Sequence, residues 1–311
     1  MIQDIRFYDL DFNLLYILPP CRNNIGYVSI NTTQEYNDSG DLEIVFSDEK
    51  LKAVIEEYRD NLMVIWSDFQ GFLTSYRWTD KECRLFGMHL NGLLHRAVIG
   101  VTAESTATVK AIADKALGTI GWLSQKYTDA VPASVTYGTK KPERADDFLQ
   151  NLFKAGNCGY SISADIPNKQ YVFTIFARNN NPLMLSVANL NAYGIEITYI
   201  NKELAHTGWY KVNDTWQSVS DGSGKSDIHN IATVLDAETS AEATNELKEC
   251  KAKYEVVATT RNVSCGIDYN IGDIVRVQSG SITKRQLVAG IKRWQENGYG
   301  EQPILTDYEE E

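Results

Sequence analysis

Apolar residues alternate along much of this chain. In the stretch SGDLEIVFS, Leu42, Ile44 and Phe46 occupy every second position. Successive side chains of a strand point to opposite faces, so this spacing puts all three on one face. The cluster Asn37-Asp38-Ser39-Gly40 just before it is turn chemistry. The same rhythm returns in YVSINTTQE, in LMVIWSDFQGFLTSYRWTDKECRLFGMHL, in GYSISADI and QYVFTIFA, and from residue 254 to the end. A chain built this way must bury one face of several sheets, so the fold class it predicts is mainly β or α+β.

Helical spacing appears in few places. Leu51, Val54, Ile55 and Tyr58 share a helix face, with Ser47 as the expected cap and Asp48 and Glu49 in the first turn. A helix is expected over 106–126, carrying Val109, Ile112, Ala113, Ala116, Leu117 and Ile120. Another is expected over 145–155, ended by a Gly156 cap, and a last one over 236–253. NGLLHRAVI reads as a short helix or turn. Strands are expected near 183–188, 194–201 and 208–219, and SDGSGKSD at 220–227 as a polar loop. No repeat of fixed period is visible.

With 311 residues and 43% hydrophobic content the chain has material for two or three cores. Its net charge is -11, unevenly spread. Residues 1–104 carry 9 Lys/Arg against 16 Asp/Glu, residues 105–235 carry 12 against 11, and residues 236–311 carry 9 against 14. Acidic surfaces repel phosphate backbones, which argues against a basic groove gripping nucleic acid. Cys21, Cys83, Cys158, Cys250 and Cys265 include no C-x-x-C pair, a pattern expected of a reduced protein made inside the cell. The opening MIQDIRFYDLDF has neither region of a signal peptide, and no apolar run approaches the ~20 residues that span a bilayer.

The residues offer little chemistry. GSGKS at 222–226 lacks the Gly a phosphate loop needs five positions before its Gly-Lys pair, where Val219 stands, and reads as a solvent loop. His89, His95, His206 and His229 form no H-x-x-x-H or H-x-H pair, so structural roles are expected and no metal site. No G-x-S-x-G occurs and no Cys has a nucleophile's context. Asn31-Thr32-Thr33, Asn213-Asp214-Thr215 and Asn262-Val263-Ser264 match the glycosylation acceptor, which carries no meaning without secretion. HTGWYKV and DTWQSV hold aromatic rings that a sugar could stack on, although strand aromatics are more often core or cross-strand residues. No catalytic, cofactor-binding or metal residue is assigned. In IDYNIGDIVRVQ at 267–278, Gly272 supplies backbone freedom and Asp273 bonds turn amides ahead of a strand with Val275 and Val277 on one face. That geometry needs no catalysis.

IDYNIGDIVRV also resembles the late Gly-Asp strand entry of the tail hub family of siphophages and prophages. SGDLEIVF, LFGMHLNGLLHRAVI, DDFLQNLFKAGNCGYSISADIPNKQYVFTIFARN and LMLSVANLNAYGIEITYINKELAHTGWYKV resemble that family's segments in the same order. The chain departs from the pattern at Arg178-Asn179-Asn180-Asn181, where the family often has an acid after the Arg. The long lytic or fibre region of many relatives is also absent before Glu311.

The resemblance implies two tube-like β-barrel hub domains with inserted helices. It implies a discontinuous domain from 1–104 plus 254–311 and an inserted domain over 105–253. It implies a structural homotrimer, not an enzyme, with no cofactor, in a virion tail. The ring would join the tail tube and distal tail protein to tip, spike or receptor-binding proteins and seat the tape-measure protein. DNA would cross its channel without specific binding. The alternative is a carbohydrate-active or carbohydrate-binding β-rich protein.

Overall fold

The computed structural model describes residues 3–20, 26–79, 81–125, 134–296 and 298–308. Cys21, Asp80 of the expected Thr79–Glu82 turn, and the Lys126 end of the expected helix over 106–126 lie outside the described residues. The protein is mainly β, with helices Glu49–Tyr58, Val109–Leu117, Ala145–Ala155 and Ser240–Glu249.

An 11-stranded sheet runs through the molecule. From one edge its order is Asn179–Leu185, Asp273–Ser279, Ile282–Gln295, Tyr27–Glu35, Asp41–Phe46, Cys83–His89, Phe69–Trp78, Leu62–Trp66, Ile5–Asp9 and Leu14–Leu18. The remaining strand, Tyr299–Asp307, also pairs with Ile282–Gln295. Among the described residues this path stays open and closes into no barrel. The junction between the two ends of the chain is the antiparallel pairing of Ile282–Gln295 with Tyr27–Glu35, with Arg293 opposite Thr32.

The core is divided. One cluster lies among the early strands and helix Glu49–Tyr58, with Phe46, Trp66 and Phe69 buried. Burying each such side chain contributes roughly 1.5–3 kcal/mol. A second joins helices Val109–Leu117 and Ala145–Ala155 to the hairpin Cys158–Asp165/Gln170–Ala177, and takes in Met63 and Phe72 from the early strands and Leu94 from the short 3-10 helix Leu90–Arg96. A third lies among the last strands, around Tyr269, Val275, Val277 and Ile291. A fourth, small one holds helix Ser240–Glu249 against strands Thr207–Val212 and Thr215–Ser220 through Tyr210, Ala243 and Leu247.

Several local expectations are corrected by the structure. The cap of helix Glu49–Tyr58 is Asp48, not Ser47, because its carboxylate accepts from the amides of Lys50 (2.9 Å) and Leu51 (3.2 Å). The helix expected over 106–126 shrinks to Val109–Leu117. Its first residues are taken into a strand, Ser105–Thr108, paired with Ser134–Tyr137, and Leu123–Gln125 pairs with Tyr171–Phe173. Gly156 ends helix Ala145–Ala155 without a left-handed backbone, and Asn157 adopts that conformation instead. Gly156 is needed for space: a Cβ there would lie 2.2 Å from Val109 Cγ2. The strand expected over 208–219 is a hairpin, turned by Asn213 and Asp214, both at positive φ. The helix expected over 236–253 is Ser240–Glu249, started by a capping box between Thr239 and Glu242.

Candidate functional site

The early strands, the hairpin Cys158–Asp165/Gln170–Ala177 and the last strands meet around a cavity of about 430 Å³. Its walls include Glu35, Asp68, Asn91, Tyr160, Asp273 and Arg293. Strand Cys158–Asp165 pairs on one side with Gln170–Ala177. Side-chain amides bond its other backbone groups at alternate residues. Asn37 Nδ2 donates to the Cys158 carbonyl (3.0 Å) and its Oδ1 accepts from the Tyr160 amide (3.0 Å). Asn91 Oδ1 accepts from the Ile162 amide (2.7 Å), and Gln70 Oε1 from the Ala164 amide (2.6 Å). The every-second-residue spacing follows from the strand itself, whose N–H groups point alternately to its two sides. These amides occupy a strand edge that would otherwise be open to pairing.

Arg293 and Glu301, on paired strands, form a buried ion pair at the same place. Arg293 Nε donates to Glu301 Oε2 at 2.7 Å, and both side chains are nearly inaccessible. Glu301 Oε1 also accepts from the Cys265 amide (2.6 Å) and the Tyr269 hydroxyl (3.3 Å), so one carboxylate pins the segment before the Gly-Asp turn. Arg293 Nη2 lies 3.9 Å from Asp68, across the seam. Burial raises the Tyr269 hydroxyl pKa, with Glu301 beside it adding to the rise.

The Gly-Asp turn is built as the residue types require. Gly272 sits at φ +90, with a Cβ position 2.9 Å from Tyr36 Cε2 and 3.0 Å from Phe176 Cε2. Asp273 is 4% exposed, and its Oδ2 accepts from the Asn270 amide (2.9 Å) and from Asn181 Nδ2 (2.8 Å). It shapes the chain. Arg178, where the hub pattern departs, donates from Nε to the Tyr36 hydroxyl (3.0 Å) and from Nη1 to Asn157 Oδ1 (2.9 Å). Its charge is used at the same seam.

The histidines are scattered. His89 is buried and its Nδ1 accepts from the Asn91 amide at 3.2 Å, while burial lowers its pKa from 6.5 to about 4. His95 contacts Asp146 and Arg144. His206 bonds Asp221 (2.7 Å), whose carboxyl is held down to about 2 by hydrogen bonds from Ser223 and His206. His229 sits in the exposed turn Asp227–His229. Among the described residues no three His, Cys, Asp or Glu side chains converge as metal ligands. Burial pushes the Cys83 thiol up to about 12 and those of Cys158 and Cys265 up to about 11, the opposite of an activated nucleophile. Residues 222–226 lie in an exposed loop followed only by the three-residue 3-10 turn Asp227–His229, too short to present a row of free amides to a phosphate. Among the described residues no helix is long and apolar enough to cross a membrane. Nothing in the sequence marks Asn37, Asn91 and Gln70 as one row: Asn37 reads only as a turn residue, and no spacing relates the three.

No protein-family model matches the chain, and no curated protein matches it. Solved structures do. The 43 kDa tail protein of prophage MuSo2 from Shewanella oneidensis superposes with a TM-score of 0.62 at 15% identity, covering 98% of each chain. A tail protein from Neisseria meningitidis MC58 gives 0.58 at 12% identity, over 98% of this chain and 96% of that one. A chain of the phage P2 baseplate in its activated conformation with Ca gives 0.51 at 10% identity, over 98% of each. From end to end, this chain has the fold of prophage tail and phage baseplate proteins.

Proposed function

We propose that the chain is a structural hub subunit of a phage or phage-like tail, working as a homotrimer. The observation that carries this reading is the end-to-end likeness to tail and baseplate chains, with 98% of this chain covered in each of the three comparisons above. Three copies would form a ring joining the tail tube and distal tail protein to the tip, spike or receptor-binding proteins, and would seat the tape-measure protein. Each copy would contribute two tube-like domains, one from 1–104 plus 254–311 and one from 105–253. The pairing of Ile282–Gln295 with Tyr27–Glu35 supports a domain made from both chain ends. The ring is then non-enzymatic, and its site is the seam that keeps its parts in register.

DNA would pass through the ring without specific binding. The net charge of -11 favours an acidic or neutral wall that repels the phosphates weakly. Mass photometry and negative-stain imaging of the purified chain, alone and with its tail neighbours, test the reading. A threefold ring that shows no retention on immobilised duplex DNA is expected. A monomer under every condition, including with the neighbours present, would overturn it.

A further inference from the structure

The three-stranded sheet of Thr207–Val212, Thr215–Ser220 and Ala232–Val234 buries one face and leaves the other open. Tyr210 packs inward against helix Ser240–Glu249. Trp209 and Trp216 point the other way, 44% and 52% exposed. Trp209 stands opposite Ser218 and Lys211 opposite Trp216, so the two indoles are diagonal neighbours on one face. Val234, 68% exposed, lies opposite Trp209 on the far side.

We propose that this face binds an uncharged oligosaccharide, with sugar rings stacked on Trp209 and Trp216. Two strands of six residues and one of three, about 4.8 Å apart, present roughly 240 Å². A stable protein partner needs about 800 Å² on each side, so this face alone is too small for one. A short saccharide needs only rigid aromatic surface for the C–H faces of its rings and polar groups for its hydroxyls. Ser218 and Ser220 share the face and supply hydroxyls. Charge selects the same class. Lys211 is neutralised by Asp214 at 2.7 Å, so the face is balanced within a chain of net charge -11. A face without net charge gives an anionic polymer no unpaired cation to grip, and a neutral one needs none. This binding goes beyond the hub reading and does not rest on it.

The test is tryptophan fluorescence with isothermal titration calorimetry on the full chain. Cellohexaose, chitohexaose and maltohexaose serve as neutral probes, with oligogalacturonate as the anionic control. At least one neutral probe is expected to shift the emission saturably. W209A and W216A should each weaken that binding at least tenfold, and the double variant should abolish it. Both side chains are half in solvent, so circular dichroism should stay unchanged. W209F, which keeps a ring, should bind more tightly than W209A and provides a second reading if W209A proves unstable. No saturable response to any of the three neutral probes, equal binding by the double variant, or tighter binding of the anionic control would each overturn the proposal.

Discussion

Asn37 and Tyr160, 123 residues apart, are bonded twice: the Tyr160 amide donates to Asn37 Oδ1 at 3.0 Å, and the Tyr160 hydroxyl donates to the Asn37 carbonyl at 3.2 Å. Asn37 also holds a left-handed backbone, φ 58, in the turn before strand Asp41–Phe46. A single turn residue of the early strands thereby fixes the hairpin Cys158–Asp165/Gln170–Ala177.

Asn37→Ala should therefore cost more than loss of an ordinary hydrogen bond. Buried partners left unsatisfied cost about 1–3 kcal/mol, and the left-handed backbone adds roughly 1 kcal/mol once the Asn side chain is gone. Asn91→Ala should fall in the same range without the backbone component. Urea denaturation of the two variants would separate these contributions. Equal and negligible losses would mean that the amide row is not a seam.

At the Gly-Asp turn, Gly272→Ala meets both a positive φ and the rings of Tyr36 and Phe176. A loss of about 2–4 kcal/mol is expected from backbone strain and overpacking together. Asp273→Ala should lose about 1–3 kcal/mol through its bonds to Asn270 and Asn181. Thermal melts report both. Neither change should remove a turnover, and a polysaccharide or peptidoglycan hydrolysis assay that Asp273→Ala abolished would refute the structural role.

The pair Arg293–Glu301 should behave as a buried ion pair. Arg293→Met or Glu301→Gln alone leaves an uncompensated buried group and is expected to cost about 3–5 kcal/mol. Arg293→Met combined with Glu301→Leu should be less damaging than the sum of the single changes. A double-mutant cycle measured by denaturation gives the coupling, and strict additivity would show that the two groups act independently.

His89 makes stability depend on pH. Burial lowers its folded pKa from 6.5 to about 4, so between these values the unfolded chain holds the proton and the folded chain does not. Its contribution is complete above about pH 6.5 and is lost as pH falls toward 4. The full loss is about 3 kcal/mol from this group. Denaturation midpoints of the native chain and of His89→Gln across that range should differ in slope, with the variant flatter.

Strand content was legible because period-2 patterning is local: Leu42, Ile44 and Phe46 are enough to place one face of Asp41–Phe46. The Gly-Asp turn was legible for the same reason, since Gly272 and Asp273 state their conformation by type. Helix ends were less so. Thr239-Ser240-Ala241-Glu242 carries the capping-box signal that would have shortened the last helix. The loss of residues 106–108 from their expected helix has no local signal, because the partner strand Ser134–Tyr137 decides it.

The sequence by itself determined a β-rich chain with few helices, turns at known places and no clustered catalytic motif, all properties of neighbours along the chain. Only the tertiary structure decided that Asn37, Asn91 and Gln70 would bond one strand, that Arg293 would be buried against Glu301, and that Trp209 and Trp216 would face solvent while Tyr210 between them in sequence does not. An amide or an indole has the same propensity wherever it stands. Which group it meets depends on how the whole chain buries its apolar faces, which brings Asn37, Gln70 and Asn91 to one strand from 123, 94 and 71 positions away.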